Sequence, residues 1–256
     1  MVDINEDGVI DILPQNLSFI LNYGSDFSQI IQASSISVAP GWTGFLNPTV
    51  NDDMAIITLS TPLPASVPTY LTSTSPWASD VRLTQVGYGI SGDGINGFTV
   101  GASFTTKRVG QNMADGISEG WYDLDDEGSG KKEVFYTDFD GPTGTGLFGG
   151  STLGNNIETT TAPGDSGGPS FLSDTSGNPI YQDGKLVIFG VNTFGFTMYD
   201  TQVQGTFGTG AGGIVVSAYD SWIRSTVPDT TSTWLPMAMS LASLFGIRSL
   251  RRSTKA

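Results

Sequence analysis

The 256-residue chain carries 25 Asp and Glu against 11 Lys and Arg, so its formal net charge is −14, and it contains neither histidine nor cysteine. Without cysteine it can form no disulfide, zinc–thiolate site or cysteine nucleophile, and so acidic a surface repels a nucleic-acid backbone. Its 34 glycines and 13 prolines separate short runs of Val, Ile, Thr and Phe, a composition that predicts an all-β protein with many turns.

The chain begins with an acidic turn, DINEDGVID, that is similar to the opening of a Ca²⁺-binding loop. The residues that fit this motif are Asp3, Asn5, Asp7, Gly8, Ile10 and Asp11. The twelfth position of such a loop is normally a bidentate glutamate, but here it is Pro14, so one carboxylate is missing and no helix can flank the loop. Two interpretations stay open at this point, a Ca²⁺ site and an acidic surface turn.

Apolar runs along the chain predict a series of antiparallel strands. They are NLSFILNYG, QIIQASSISVAPGW, NDDMAIITLSTPLP, VRLTQVGYGISGDG and KLVIFGVNTFGF. The apolar run from Met54 to Leu59 follows two carboxylates and predicts a strand buried on both faces. The segment GGIVVSAYDSWIRS predicts a last strand that leads into a short helix.

The stretch from Gly110 to Gly150 is rich in acidic and loop-forming residues. Its carboxylates include Asp123, Asp125, Asp126, Glu127, Asp138 and Asp140. Two interpretations again stay open: a Ca²⁺ site and a solvated hairpin.

Residues 227–256 differ in composition from the rest of the chain. A VPDTTST spacer leads to an uncharged, largely apolar run from Trp234 to Ile247, which is shorter than the about 20 residues that normally cross a bilayer. A basic cluster follows, formed by Arg248, Arg251, Arg252 and Lys255. This order predicts a short hydrophobic anchor with a basic cytoplasmic stop.

The stretch TTAPGDSGGPSF, Thr160 to Phe171, has the composition of a loop that exposes a nucleophile. A serine hydroxyl attacks a carbonyl only when a base accepts its proton, a third group orients that base and donors stabilise the oxyanion. The glycines let the backbone turn tightly enough for the N–H groups of Gly164 and Ser166 to converge, and Gly167 and Gly168 leave room for a substrate.

Three segments, in order along the chain, resemble the trypsin/chymotrypsin-like serine endopeptidases. NDDMAIITL resembles the segment with the triad aspartate, and this gives that role to Asp53. GDSGGP resembles the nucleophile loop, with Ser166 as nucleophile and Gly164 and Ser166 as oxyanion donors, and Asp165 matches the carboxylate that organises the loop. GGIVVSAYDSWI resembles the last strand and terminal helix of the family.

The resemblance covers Leu17 to Ile223 and implies a trypsin-like double β-barrel with the site between the barrels. Residues 1–100 would be the remainder of an incomplete first barrel, and residues 101–226 the second barrel with the nucleophile loop and a short C-terminal helix. Residues 227–256 would form a sorting or anchor tail with a hydrophobic helix.

The same resemblance implies where a protein or peptide substrate binds. The pocket floor lies six residues before the nucleophile, at Thr160, and the substrate would lie along the strand that contains Thr193, Phe194 and Gly195. Relatives that cut after Lys or Arg carry an aspartate at the floor, so Thr160 argues against that specificity. The preferred side chain stays open.

The family's base is a histidine in a stretch similar to Thr-Ala-Ala-His-Cys, upstream of the aspartate segment, and this sequence has no histidine. Met1 falls roughly where that stretch would have ended, which predicts a truncated sequence of an ordinary protease whose start was assigned too late. As written, the chain is expected to hydrolyse peptides negligibly. The alternative is a non-catalytic protease homologue that binds peptides or partners at the cell envelope.

The tail VPDTTSTWLPMAMSLASLFGIRSLRR resembles the bacterial PEP-CTERM sorting signals and their VPDSG-type variants. This resemblance implies an exported protein whose C-terminus inserts into the membrane and is processed by a sorting protease. An ordinary single-pass anchor and a disordered tail are the alternatives. No cofactor is expected, apart from the Ca²⁺ that the acidic loops leave open.

Overall fold

The computed structural model describes residues 3, 5, 7–21, 27–44, 50–75, 80–115, 133–142, 148, 152–154 and 156–227, and every structural statement below concerns these residues. Among these residues, those up to Asp220 form one compact unit, and a second unit begins at Ser221. The boundary near residue 100 that the sequence suggests stays a prediction.

The described residues form a mostly β protein, as the composition predicts. The strands are β1 (Ser18–Ile20), β2 (Ile30–Val38), β3 (Ala55–Leu59), β4 (Leu71–Thr72), β5 (Val81–Gly87), β6 (Ser91–Asp93), β7 (Gly97–Val100), β8 (Arg108–Ala114), β9 (Val134–Asp138), β10 (Pro169–Leu172), β11 (Tyr181–Gln182), β12 (Lys185–Phe196) and β13 (Gly210–Val215). Two 3₁₀ turns, Pro14–Asn16 and Val216–Tyr219, and one helix, α1 (Asp220–Thr226), complete the described elements.

The first three strands form an antiparallel sheet in the order β1-β2-β3. Within this sheet Ile31 pairs with Phe19 and Ile36 pairs with Ile57. The expectation that Met54 to Leu59 is buried on both faces is wrong, because β3 is an edge strand of this sheet among the described strands and Ile57 is 43% exposed. An apolar run shows that a strand has hydrophobic faces but not how many of them are covered.

A larger curled sheet contains the core, and its antiparallel strands follow the order β8-β5-β10-β12-β13-β9. Two short strands also pair with β12: β11 is antiparallel to it and β4 is parallel to it. The edge strands β8 and β9 meet at an isolated bridge, where Asp115 N donates to Tyr136 O at 2.9 Å. The sheet is therefore a half-barrel whose two edges come together at that bridge.

The stretch expected to be loop-rich, Gly110 to Gly150, in fact includes the end of β8 and all of β9. Every residue of β9 is buried, and its central residue Tyr136 pairs with Gly212 of β13. Sequence patterning missed this strand because the buried Thr137 and Asp138 interrupt its apolar run.

The hydrophobic core lies inside the curled sheet and consists of Leu83, Ala114, Phe135, Phe189 and Val215. The rings of Phe135 and Phe189 meet edge to face, with centroids 5.5 Å apart. A Cβ atom on Gly190 would lie 2.4 Å from Cε1 of Phe135, so the ring occupies the space that a side chain on β12 would need. The glycine in the middle of this strand is therefore a packing requirement.

The short helix predicted near the C-terminus is present as α1 (Asp220–Thr226). Asp220 stands in its first turn and Arg224 in its last turn. Both charges complement the helix dipole, with the negative charge at the amino end and the positive charge at the carboxyl end.

Candidate functional site

Ser166 lies exposed in a tight turn between β9 and β10. The flanking glycines adopt φ values of 95° at Gly164 and 80° at Gly167, in a region that favours glycine. Asp165 N donates to Ala162 O at 2.9 Å, and Gly168 N donates to Asp165 O at 2.9 Å. The local sequence therefore folds into the compact turn that its glycines predict.

Residues of strand β12 form hydrogen bonds with this turn. The Ser166 hydroxyl donates to Thr193 O at 3.2 Å. Gly167 N donates to Asn192 O at 2.8 Å, and Asn192 N donates to Gly168 O at 2.9 Å. Two sequence-predicted site residues, Ser166 and Thr193, are thus in direct contact.

The backbone N–H groups of Gly164 and Ser166 have no hydrogen-bond acceptor within the part of the chain that the structure describes. Both residues are exposed. Unpartnered N–H groups beside a serine hydroxyl are chemically suited to stabilise a negative charge that develops on a bound carbonyl oxygen.

Asp165 fixes the turn through two backbone donors. Its Oδ1 accepts the N–H of Gly89 at 2.7 Å, and its Oδ2 accepts the N–H of Ala162 at 3.1 Å. A Cβ atom on Gly87 would lie 1.9 Å from Oδ1 of Asp165, so only a glycine allows the carboxylate to approach this closely. The sequence VGYG, residues 86–89 at the end of β5, is therefore part of the site.

Asp53 lies two residues before β3 and is half-buried. Its neighbour Asp52 is buried and has a φ of 61°, the left-handed region that a non-glycine residue seldom adopts. Asp52 N donates to Tyr219 Oη at 2.9 Å, which fixes the turn from which Asp53 projects. The role of Asp53 as the orienting carboxylate stays a prediction.

A cavity of about 660 Å³ lies next to the Asp165 turn. Thr160, the predicted pocket floor, lines it, as do Glu158 and Asp165. Thr193, Phe194 and Gly195 are not among its described lining residues. The Phe194 ring instead packs edge to face against Tyr136, with centroids 5.7 Å apart.

Three buried carboxylates converge where β9 ends. One oxygen atom from each of Asp138, Asp140 and Glu158 lies within 4.8 Å of the other two. A fourth buried carboxylate, Asp115, stands behind them, and its Oδ2 accepts the N–H of Asp138 at 3.4 Å. The solvated-hairpin interpretation is therefore wrong for Asp138 and Asp140.

Burial and the proximity of other carboxylates raise the pKa values of three of these groups. Burial, followed by the nearby charge of Asp138, raises the pKa of Asp115 to about 8. Burial, followed by the charges of Asp138 and Glu158, raises the pKa of Asp140 to about 6. Burial also raises the pKa of Glu158. Sequence analysis missed Asp115 and Glu158, because each is an isolated acidic residue with no motif around it.

Carboxylates of the N-terminal acidic turn accept hydrogen bonds from the backbone of the turn and from a tryptophan side chain. The Asp3 carboxylate accepts the N–H groups of Asp7 and Gly8 and the Trp42 indole N–H. Asp11 Oδ2 accepts the N–H of Asn5 at 3.1 Å. Ca²⁺ binding by this turn stays a prediction.

Several predicted features fall outside the described residues. They are Asp123, Asp125, Asp126, Glu127, the apolar run from Trp234 to Ile247 and the basic cluster that follows it. Among the described helices, none has the length and apolar character needed to cross a membrane.

No protein-family model matches this chain, and no curated protein matches it with significant sequence similarity. The resemblance to serine endopeptidases therefore depends on the residues and their order alone.

Proposed function

We propose that this chain is the scaffold of an exported serine-type endopeptidase with Ser166 as its nucleophile. The proposal is supported chiefly by the turn around Ser166, which combines an exposed serine, backbone N–H groups of Gly164 and Ser166 without an acceptor among the described residues, and an Asp165 carboxylate held by two backbone donors. An ordinary glycine turn needs no carboxylate anchor of this kind.

In the proposed reaction the Ser166 Oγ attacks the scissile carbonyl carbon and loses its proton to a base. The carbonyl oxygen becomes an oxyanion that the N–H groups of Gly164 and Ser166 stabilise. The acyl-enzyme then forms when the base returns the proton to the leaving amine, and water hydrolyses it. Asp53 orients the base.

In this proposal the base comes from outside these 256 residues, because they contain no imidazole. We propose a histidine in that role. Without it the oxyanion donors and substrate binding supply only a small residual rate.

The outer edge of β12 offers a place for an extended peptide. From Thr193 to Phe196 this strand pairs only with β13 among the described strands, since its pairing with β10 ends at Val191. An extended substrate could add to such an edge as a further strand, with its carbonyl carbon brought to Ser166. Thr160 then contributes to the wall of the adjoining cavity.

The test is labelling with a fluorophosphonate probe, which reacts with an activated serine. The 256-residue chain should label negligibly, whereas a chain extended in frame with the codons upstream of Met1 should label where that extension encodes a histidine. Ser166→Ala should abolish the labelling and Ser176→Ala, at another exposed turn serine, should retain it. A histidine-containing extended chain that does not label at Ser166 would overturn the proposal.

A non-catalytic homologue that binds peptides at the cell envelope is the second candidate, and the absence of histidine favours it. It requires that peptide binding persist unchanged in Ser166→Ala and that no upstream histidine exist in frame. For both candidate functions we propose that residues 227–256 are a sorting tail. Mass spectrometry of the C-terminus of the protein from its native cell would show whether this tail is cleaved.

A further inference from the structure

The carboxylates of Asp138, Asp140 and Glu158 form a cluster that is almost inaccessible to solvent. These side chains are 3%, 2% and 4% exposed, respectively. Within the described residues no Lys or Arg forms an ion pair with any of them. Buried carboxylates are normally paired with a cation, because their desolvation is otherwise costly.

Hydrogen bonds occupy only part of the cluster. Glu158 Oε1 accepts the N–H of Asp140 at 2.6 Å, and its Oε2 accepts the N–H of Leu153 at 2.7 Å. Asp138 Oδ2 accepts the N–H of Phe148 at 2.8 Å. These bonds fix the directions of two carboxylates without neutralising their charge.

Asp140 provides a separate indication of a ligand. Its Oδ1 is fully enclosed and has no hydrogen-bond partner in the described part of the chain. Oδ1 of Asp115, behind the cluster, is in the same situation. Buried oxygen atoms without a protein partner are rare in folded proteins and are typically satisfied by a water or an ion.

We propose that Asp138, Asp140 and Glu158 bind a Ca²⁺ ion. Oxygen atoms 4.8 Å or less from one another fit around a single ion whose Ca–O distances are about 2.3–2.6 Å. All three donors are hard carboxylate oxygens, which disfavours Zn²⁺ or a soft metal. Mg²⁺ demands near-octahedral geometry and keeps several waters, which suits an enclosed cluster poorly, whereas Ca²⁺ accepts irregular shells of six to eight oxygens.

The position of the site gives it a structural consequence. Asp138 is the last residue of β9, and Glu158 lies two residues before Thr160. A bound ion would therefore tie together the two ends of the intervening segment and fix one wall of the cavity that Glu158 and Thr160 share. This inference does not depend on Ser166 being a nucleophile.

The test uses the purified 256-residue chain, stripped with chelator and titrated with CaCl₂ at constant ionic strength. Calorimetry should show binding, and Ca²⁺ at 100 times its Kd should raise the melting temperature by about 5–10 °C. MgCl₂ at the same concentration should give a much smaller shift.

Variants assign the effect to the cluster. Asp140→Asn and Glu158→Gln should lose the Ca²⁺ response, and in chelator Asp140→Asn should melt at or above the wild type because it removes charge repulsion. Asp183→Asn, at an exposed hairpin turn, is the matched control and should respond like the wild type. Asp7→Asn removes a carboxylate from the N-terminal acidic turn and is a second control, which should also keep the Ca²⁺ response.

Two results would overturn the proposal. One is a wild-type chain that shows neither heat of binding nor a melting shift with Ca²⁺. The other is a response that Asp7→Asn abolishes while Asp140→Asn or Glu158→Gln retains it, which would assign the ion to the N-terminal turn. If both cluster variants fail to fold, the Asp7→Asn variant decides. A Ca²⁺ response that persists in Asp7→Asn supports binding by the cluster, and loss of the response in Asp7→Asn refutes it.

Discussion

The carboxylate of Asp165 accepts the backbone N–H of Gly89 at 2.7 Å across 76 residues of sequence. This bond ties the turn that presents Ser166 to the end of β5. A second bond from Ala162 N closes the turn on itself. The orientation of Ser166 therefore depends on a carboxylate that belongs to the turn and on a strand end that does not.

Replacing Asp165 by Asn should destabilise the protein by about 1–3 kcal/mol. An amide keeps one acceptor but places its NH₂ group against an N–H donor, either that of Gly89 or that of Ala162. The free energy of unfolding in denaturant measures the effect. Asp183→Asn is the control, because Asp183 has a φ of 50° in an exposed Asp-Gly turn where Asn fits equally well. Equal stability of the two variants would contradict the clamp.

Gly87→Ala should act through the same carboxylate. The added Cβ would lie 1.9 Å from Oδ1 of Asp165 and 2.5 Å from its Cγ, so the carboxylate has to move, at a cost of about 1–3 kcal/mol. Gly101→Ala is the control, since nothing lies within 4 Å of a Cβ there. Combined with Asp165→Asn, the two losses should be less than additive. Strict additivity in this double-mutant cycle would show that the positions are uncoupled.

The sequence carried enough information to predict the local features of the site. The glycines around Ser166 require a tight turn, and the long apolar run of β12 requires a central strand, so both were predictable from short windows. The short helix α1 followed from the same kind of pattern.

The acidic cluster was only half predictable. Asp138 and Asp140 stand together in an acidic stretch, but Glu158 joins them across a loop, and no local pattern indicates which distant carboxylate the fold brings near. One of the two interpretations that the sequence left open put Asp138 in a solvated hairpin, because one-dimensional patterns describe the charge of a residue and not the sheet that closes over it. The half-exposed state of β3 was unpredictable for the same reason.

Asn112→Ala should destabilise the protein by more than about 2 kcal/mol. The Asn112 side chain is 1% exposed, and its Nδ2 donates to Asp138 O at 2.6 Å and to Thr159 O at 2.7 Å. Truncation leaves both carbonyl groups without this donor and opens a void. Asn156→Ala, at an exposed position on the cavity rim, should change stability by less than about 0.5 kcal/mol. Similar unfolding free energies for the two variants would show that Asn112 does not hold these segments together.

Tyr219→Phe should cost about 1–3 kcal/mol at neutral pH. The buried Tyr219 hydroxyl accepts the N–H of Asp52 at 2.9 Å and donates to Glu133 Oε2 at 3.1 Å, so the variant loses both bonds. Tyr181→Phe is the control. Tyr181 is 63% exposed, so this variant removes a hydroxyl from a solvent-exposed ring and should not measurably change the free energy of unfolding.

The same substitution should change the alkaline stability profile. Burial, followed by the charges of Asp52 and Glu133, raises the pKa of Tyr219 above its ordinary value. The unfolded chain then releases this proton at a pH of about 10 while the folded chain keeps it. The contribution of Tyr219 to stability is therefore complete below that pH and declines above it. Denaturant unfolding at several pH values above and below 10 should show the gap between wild type and Tyr219→Phe narrowing as the pH rises, and a gap that stays constant or widens would contradict this account.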